Sequence, residues 1–342
     1  MLLTTESQAP MARRDQLAFV VFGTWMVTGL FVDGWAHNHQ KPETFFTPWH
    51  AVLYSGFGAA VLWGVIDGRR RPWAPPAGQR LTNIGAVLFG AGAVADMVWH
   101  QVFGIEVNLA ALLSPTHMML MTGGILAASG PLRAAWVTDD DPAPSLRAFF
   151  PTLVSLGLVV AVVSFFTQYL SAFRLLLLAP SGQPAAAYVQ IFQIVGIASV
   201  LATNLLLLVP VALVLRRWRP PAGTFTLLFG GVALLMTALD GFQHLPLVAA
   251  AVAGGVAADR FASLLPPAGV LAVASVVLWG TFFAVYAAVW GLAWEPELWG
   301  GAMVLCVLSA IGLGAFTSLT SARPLERAGT PAAPRSFAPA GR

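Results

Sequence analysis

Long apolar segments separated by short polar loops dominate the pattern of hydrophobic and polar positions along this chain. Several unbroken runs reach the roughly 18–20 residues that a helix needs to cross a bilayer. Backbone groups inside lipid must be hydrogen-bonded within their own segment, so such runs predict helices and not strands. The pattern predicts an all-α, polytopic transmembrane bundle of about ten spans, at residues 16–36, 46–67, 81–103, 113–132, 148–170, 188–215, 223–244, 246–262, 269–291 and 298–320.

The composition supports a membrane protein and excludes an ordinary soluble domain. Hydrophobic residues make up 57% of the chain and charged residues only 10%, with a mean hydropathy of +0.75. A soluble domain would carry roughly 25% charged residues. The single cysteine, Cys306, excludes an intrachain disulfide. The first fifteen residues are polar, and no small-residue cleavage site follows a short apolar core, so we expect no cleaved signal peptide.

Basic residues predict the orientation of the helices. They concentrate on alternate loops, which places both termini in the cytoplasm: Arg13, Arg14, Arg69, Arg70, Arg71, Arg80, Arg133, Arg147, Arg216, Arg217, Arg219, Arg323, Arg327, Arg335 and Arg342. Lys41 and Arg174 are the exceptions on the other side. The excess of basic residues therefore indicates the topology of a membrane protein and not nucleic-acid binding. The expected setting is the lipid bilayer of a bacterial-type plasma membrane.

The chain divides into two helical halves with a tail at each end. Residues 1–15 are expected to form a cytoplasmic tail, residues 16–132 a four-helix half, residues 148–320 a second helical half, and residues 321–342 a disordered tail. The span at 246–262 is short and rich in alanine and glycine, which leaves open whether it crosses the membrane fully. Asp259 and Arg260, at its end, are expected to form an interfacial ion pair.

Four polar residues recur in the same order within these apolar segments. Both copies read Asp-x3-His-x5-Glu followed by Thr-Pro-x-His or Ser-Pro-x-His: Asp33, His37, Glu43 and His50, then Asp96, His100, Glu106 and His117. A partial third copy follows at Asp240 and His244. Under the predicted topology all six histidines lie at the outer ends of spans. This clustering indicates one functional zone near the extracytoplasmic face.

The spacing of the repeat predicts a metal site in each helical hairpin. Residues four apart share a helix face, so Asp33 and His37 project together, as do Asp96 and His100. The prolines before His50 and His117 favour the first turn of the next helix. A charged aspartate inside a span costs about 2.5–3.5 kcal/mol, so it normally has a partner. One carboxylate and two imidazoles suit Cu(II), Zn(II) or non-haem Fe(II).

Several other polar residues have a plain structural interpretation beside the metal one. Glu43 and Glu106 either support the metal ligands by hydrogen bonding or are simply solvated loop carboxylates. Met121, one turn after His117, is either a thioether ligand for Cu(I) or a packing residue. Asp240 and His244 either bind metal or form a structural hydrogen bond. His39 is expected to be exposed in a loop and not to be a ligand.

The first copy of the repeat resembles the copper-site segment of the C subunit of particulate methane and ammonia monooxygenases. The resemblance rests on Asp33-Gly-Trp-Ala-His37, then Glu43-Thr-Phe-Phe-Thr-Pro-Trp-His50 and Tyr54, which match that family's Asp-x3-His-x12-His with its Phe-Thr-Pro-x-His ending. It covers roughly residues 30–125. The second copy resembles the family more loosely. The family has an asparagine at the position of Asp96, and its two corresponding histidines are closer together in sequence than His100 and His117. The family's enzymes also require partner subunits.

Two classes of function follow for the whole chain, and a third interpretation needs no metal. The resemblance implies a copper-binding protein, a candidate subunit of a copper-dependent monooxygenase that hydroxylates a small apolar substrate with O2, with other membrane subunits or a homo-oligomer as partners. The alternative is a copper or zinc transport or storage protein without catalysis. In the third interpretation the Asp–His pairs are structural or proton-responsive. Copper is the expected metal, with zinc and iron as alternatives, and no nucleic acid is expected as a partner.

Overall fold

The computed structural model describes residues 9–41, 47–70, 75–104, 109–138, 141–174, 178–182 and 184–321. This part of the chain is helical, without strands, as the apolar pattern predicts. Its helices are α1 (Arg13–Asn38), α2 (Pro48–Arg70), α3 (Gln79–Phe103), α4 (Ala110–Leu113), α5 (Pro115–Ala128), α6 (Gly130–Thr138), α7 (Leu146–Phe166), α8 (Val189–Arg217), α9 (Thr224–Ala238), α10 (Val248–Phe261), α11 (Pro267–Trp290) and α12 (Pro296–Ser321).

Seven of the described helices are long and apolar enough to cross a membrane: α1, α2, α3, α7, α8, α11 and α12. The chain is thus a multi-pass membrane protein, and the count of about ten spans is not confirmed. The difference falls on three predicted spans. The fourth is divided at Ser129 into α5 and α6, and the seventh and eighth correspond to α9 and α10, which have only 15 and 14 residues. Residues 1–8 and 322–342 of the predicted tails lie outside the described residues, and α1 begins at Arg13, within the predicted N-terminal tail.

Two helical hairpins build the first half of the molecule, α1 with α2 and α3 with α5. Each hairpin is closed by glycines at which the backbones touch. A Cβ atom on Gly29 would lie 2.4 Å from the backbone nitrogen of Leu53, and one on Gly56 would lie 2.6 Å from that of Met26. Small residues that permit such close approach are typical of membrane helix interfaces. The glycine contacts fix how α1 faces α2, and therefore where their polar ends meet.

We expect Gly56→Ala to push α2 away from α1 and to lower stability. The added methyl group would meet the α1 backbone, which cannot move aside as a flexible side chain could, at an expected cost of about 1–3 kcal/mol. Gly58→Ala is the matched control on the same helix, since its Cβ would meet nothing within 4 Å. Thermal unfolding of the detergent-solubilised protein measures both variants. Equal midpoints for the two would contradict tight packing at Gly56.

A buried polar network holds α8, α11 and α12 together in the second half. The Asn204 side chain donates to the carbonyl oxygen of Cys306 at 3.0 Å and to the hydroxyl of Ser309 at 3.1 Å. It accepts from the hydroxyl of Ser275 at 3.0 Å and from the Trp279 indole at 2.9 Å. All four hydrogen-bonding positions of the amide are thereby used, which makes the network favourable in an apolar interior. Cys306 is a buried, free thiol in this packing.

Asp259 does not act as the sequence predicts. Its carboxylate accepts from the backbone N–H groups of Phe225 and Thr226, each at 3.0 Å, and from the Thr226 hydroxyl at 2.7 Å. A carboxylate at this position satisfies the free N–H groups at the start of α9 and complements the helix dipole. Asp259 therefore caps a neighbouring helix, and the expected ion pair with Arg260 is replaced by this contact between α10 and α9.

Helix α7 connects the two hairpins to each other and to the second half. It packs against α1, α5 and α9, and most of its residues are buried. Near its end, Phe165 lies edge-on to Phe31 of α1 with ring centroids 5.4 Å apart. The next residue, Phe166, lies 6.5 Å from the ring of His117, just after the start of α5. The end of α7 is therefore placed between the polar ends of the two hairpins.

Candidate metal centres

The first candidate centre lies where α1 ends and α2 begins. Asp33 and His37 are one turn apart near the end of α1, and His50 is the third residue of α2. The Asp33 Oδ2 atom lies 3.6 Å from His37 Nε2, and its Oδ1 atom lies 3.2 Å from His50 Nε2. Asp33 is only 8% exposed. The carboxylate thus faces both imidazoles, and one ligand atom from each residue lies within 4.8 Å of the others.

The second candidate centre repeats this arrangement where α3 ends and α5 begins. The Asp96 Oδ2 atom lies 3.2 Å from His100 Nε2, and its Oδ1 atom lies 3.6 Å from His117 Nε2. Asp96 is 4% exposed. Here too one ligand atom from each residue lies within 4.8 Å of the other two. The convergence that the sequence repeat predicts is therefore present in both hairpins.

The Pro-x-His elements act as the sequence predicts. α2 begins at Pro48 and α5 begins at Pro115, so the missing proline N–H falls where a helix has no internal partner for it. Ser114 caps α5, since its hydroxyl accepts from the backbone N–H of His117 at 3.2 Å. Helix initiation therefore aims each second histidine at the carboxylate of the preceding helix.

Hydroxyl groups give the second centre additional support. The Thr116 hydroxyl donates to Asp96 Oδ1 at 2.7 Å. The Ser114 hydroxyl lies 2.8 Å from His117 Nδ1 and 3.0 Å from the Thr116 hydroxyl. Groups that bind the far nitrogen of a histidine fix its ring and its tautomer, which is typical of histidines that hold metals. Ser114 and Thr116 both belong to the Ser-Pro-x-His element of the repeat, but the repeat does not predict these hydrogen bonds.

The orientation of His100 is compatible with a positive charge, either a proton or a metal ion, between its ring and Asp96. Its Nδ1 atom lies 3.3 Å from the carbonyl oxygen of Gly104, which can only accept, so that nitrogen carries the proton of this hydrogen bond. In neutral His100 the lone pair then sits on Nε2, which faces the Asp96 carboxylate at 3.2 Å. Two electron-rich atoms that face each other need a proton or a metal ion between them.

The distances between the facing atoms also suit a metal. Nitrogen and oxygen ligands lie about 2.0–2.2 Å from a bound transition metal, so two of them on one ion are roughly 3–3.5 Å apart. The carboxylate–imidazole separations of the two centres, 3.2 and 3.6 Å in each, are close to this range. One carboxylate and two histidines leave coordination positions open, which a centre that binds a further molecule requires.

Both centres line one cavity of about 870 Å³ between the ends of the hairpins. All six candidate ligands are in its wall, so the two hairpins form two separate centres that share one space. Most of the remaining lining is apolar, and it includes Leu30, Phe89, Leu120, Phe165 and Phe166. Tyr54, which belongs to the family-like motif, also lines the cavity. Lys41 and Arg174 also line the cavity. They are the two basic residues that the predicted topology places on the side opposite to the arginine-rich loops.

Within the described part of the chain, Asp240 pairs with an arginine and joins no group of three candidate ligands. The Arg174 guanidinium donates to both oxygens of the Asp240 carboxylate, with the shortest contact at 2.6 Å, and it also donates to the Gln168 side chain. His244 is 2% exposed, and its Nδ1 atom lies 3.5 Å from Asp240 Oδ2. This arrangement favours the structural interpretation of the third pair. Metal binding there stays a prediction.

The other predicted residues have less direct roles. Met121 is half-buried and packs against the hydrophobic core. His39 directly follows α1, with its ring stacked on that of Trp35 at 4.6 Å between centroids, and it is exposed as expected. Glu43 and Glu106 lie outside the described residues. Arg174 is the neighbouring residue for which the sequence already carried a signal, because under the predicted topology it departs from the distribution of the other arginines.

Comparisons with models of protein families, with curated proteins and with solved structures find no match to this chain. The resemblance to the C subunit of copper membrane monooxygenases therefore rests on the residues of the repeat alone.

Proposed function

We propose that this protein binds two metal ions, with copper as the expected metal, at the first and second candidate centres. The observation that carries the proposal is the convergence of one aspartate and two histidines at each of two places on a single cavity. Buried carboxylates inside apolar helices need a compensating cation, and a metal ion supplies it. Asp33 and Asp96 each neutralise one ion, and two histidines complete the donor set at each centre.

We further propose that the protein is a copper-dependent oxygenase, or a subunit of one, that acts on a small apolar substrate. What copper would supply at such a centre is redox chemistry with O2. The chain's own contribution is to hold the ligands, to leave coordination positions open and to surround them with an apolar wall that limits access of water. The resemblance of the first motif to copper membrane monooxygenases and the apolar lining of the cavity support this assignment.

The proposed topology places both centres near the extracytoplasmic face. In it, α5 with α6, α9 and α10 add three spans to the seven long helices, which gives about ten and leaves both termini in the cytoplasm. The distribution of arginines supports this orientation in a bacterial-type plasma membrane. A copper or zinc carrier is the second candidate function, since two centres on one cavity could pass an ion between them. Metal flux into proteoliposomes, without oxygenation, is the result that would favour the carrier.

Metal quantification on purified protein tests the proposal. We expect about two copper ions per chain after reconstitution, with EPR signals of Cu(II) in a nitrogen and oxygen environment. The double variant His50→Ala/His117→Ala should lose both ions while remaining folded. Parallel reconstitution with zinc and iron compares the three metals directly. Wild-type protein without bound metal, or a double variant with unchanged content, would falsify the proposal.

A further inference from the structure

Apolar pockets follow the line along which α2 faces α3, and we call this line the α2/α3 seam. The two helices contact each other little, although each packs closely within its own hairpin. Both are among the least buried of the seven long helices. The seam contains two apolar pockets, an outer one of about 430 Å³ and an inner one of about 240 Å³. In the proposed topology these pockets would face lipid.

The outer pocket adjoins the first candidate centre. Its wall is formed by Thr47, His50, Ala51 and Tyr54 of α2 and by Ala93, Val94 and Met97 of α3. Two of these residues, His50 and Tyr54, also line the cavity that holds both centres. They therefore stand between that cavity and the membrane side of the protein. A molecule in the outer pocket would touch His50, one of the proposed metal ligands.

The inner pocket continues the seam along the same two helices. It is lined by residues at helical spacing on α2, from Phe57 to Val65, and by residues of α3 from Thr82 to Val87, while α1 and α5 contribute the rest of its wall, including Met26 and Ala128. From His50 to Val65 the seam runs along fifteen residues of helix, or about 22 Å. This is most of the roughly 30 Å hydrocarbon thickness of a bilayer. The groove thus lies parallel to the chains of membrane lipids and has a comparable length.

The shape of the seam favours a flexible chain over a helix. Phe57 reaches across it, with its ring centroid 4.8 Å from that of Phe89, and it covers Gly90 of α3. A helix about 10 Å wide could not settle between α2 and α3 past this ring. An acyl chain can pass over the ring and fill the pockets on both sides. Association in a membrane depends on such packing, because lipid and protein surfaces are equally apolar.

We propose that the α2/α3 seam binds one acyl chain of a membrane lipid, which lies against His50 and Tyr54 and closes the metal cavity toward the bilayer. Binding of the chain depends only on the seam. Its role in closing the cavity rests on the proposed function of that cavity. The bound lipid is thus a structural part of the wall beside the first centre.

Photolabelling in a defined bilayer tests this site. The full-length protein is reconstituted into phosphatidylcholine vesicles that contain a phosphatidylcholine with a diazirine midway along one acyl chain. After illumination, peptide mass spectrometry locates the label. We expect residues 47–65 and 82–97 to be labelled several-fold more than α12, whose exposed Val304, Leu308 and Phe316 also face lipid in the proposed topology.

Variants that fill the outer pocket supply the specific test. Ala93→Phe should reduce labelling at the outer pocket several-fold, whereas Val102→Phe, at an exposed position of the same helix that lines neither pocket, should not. Ala51→Phe fills the pocket from α2 and replaces Ala93→Phe if the latter does not fold. Labelling that follows exposure alone, or a seam shielded by a second copy of the chain in a crosslinked dimer, would overturn the proposal. Metal content is measured on the same samples. Seam labelling without bound metal would count against the proposed function only.

Discussion

Replacing Asp33 with asparagine should remove metal from the first centre and leave the second centre loaded. The carboxylate is the only anionic group of that donor set, and its two oxygens face His37 and His50 at 3.6 and 3.2 Å. An amide of the same shape keeps the packing but no longer neutralises a bound cation. The metal content of the purified protein should therefore fall to about half, because the second centre has its own aspartate.

The matched control for this variant is Asp240→Asn. Asp240 belongs to the same Asp-x3-His pattern, yet its carboxylate is bound by Arg174 and lies in no three-residue ligand group of the described residues. We expect its substitution to leave metal content unchanged. Metal analysis together with EPR distinguishes the centres, since Asp33→Asn and Asp96→Asn should each retain a different signal. A loss of metal in Asp240→Asn as large as in Asp33→Asn would contradict the assignment of two centres.

Replacing Arg174 with methionine should strongly destabilise the protein without removing metal. The change leaves the Asp240 carboxylate, 18% exposed, without the cation that binds both of its oxygens. Breaking a largely buried ion pair from one side costs about 3–5 kcal/mol, since an uncompensated charge stays behind. The thermal midpoint in detergent should fall clearly, while Arg216→Met, at an exposed position of α8, should change it little.

A double variant separates the charge of Asp240 from the rest of this effect. Arg174→Met/Asp240→Leu removes both charges, and we expect it to recover most of the lost stability. Recovery would show that the stranded carboxylate causes the loss. If the double variant is as unstable as Arg174→Met, the guanidinium acts instead through its packing and its hydrogen bond to Gln168.

The two centres could be predicted from sequence because local rules determine them. Helical periodicity places Asp33 beside His37, and a proline at the first helical position places His50 at the start of the next helix. A short loop between two membrane helices then brings the ends together. Each step depends on residues close in the chain, which is why both hairpins agree with the prediction although no relative of the chain is matched.

The parts that could not be predicted depend on contacts between distant segments. Asp240 and Arg174 are 66 residues apart, and their pairing follows from how α9 packs against the segment after α7. Asp259 caps α9 from α10, which no local pattern distinguishes from an ion pair with its neighbour Arg260. Whether short helices such as α9 and α10 cross the membrane depends on their packing as well as on their apolar length.

Helix α7 determines how far apart the two candidate centres lie, but it does not determine the arrangement of ligands within each centre. Each centre is contained within one hairpin whose helices are locked by backbone contact at glycines such as Gly29 and Gly56. The hairpins themselves meet chiefly through α7, which carries Phe165 and Phe166 at its end. The ligand geometry of each candidate centre is thus a local property, whereas the distance between the two centres is a property of α7. If both centres bind metal as proposed, substitutions on this one helix should change the magnetic and electronic coupling between the ions while leaving the ligands of each centre untouched.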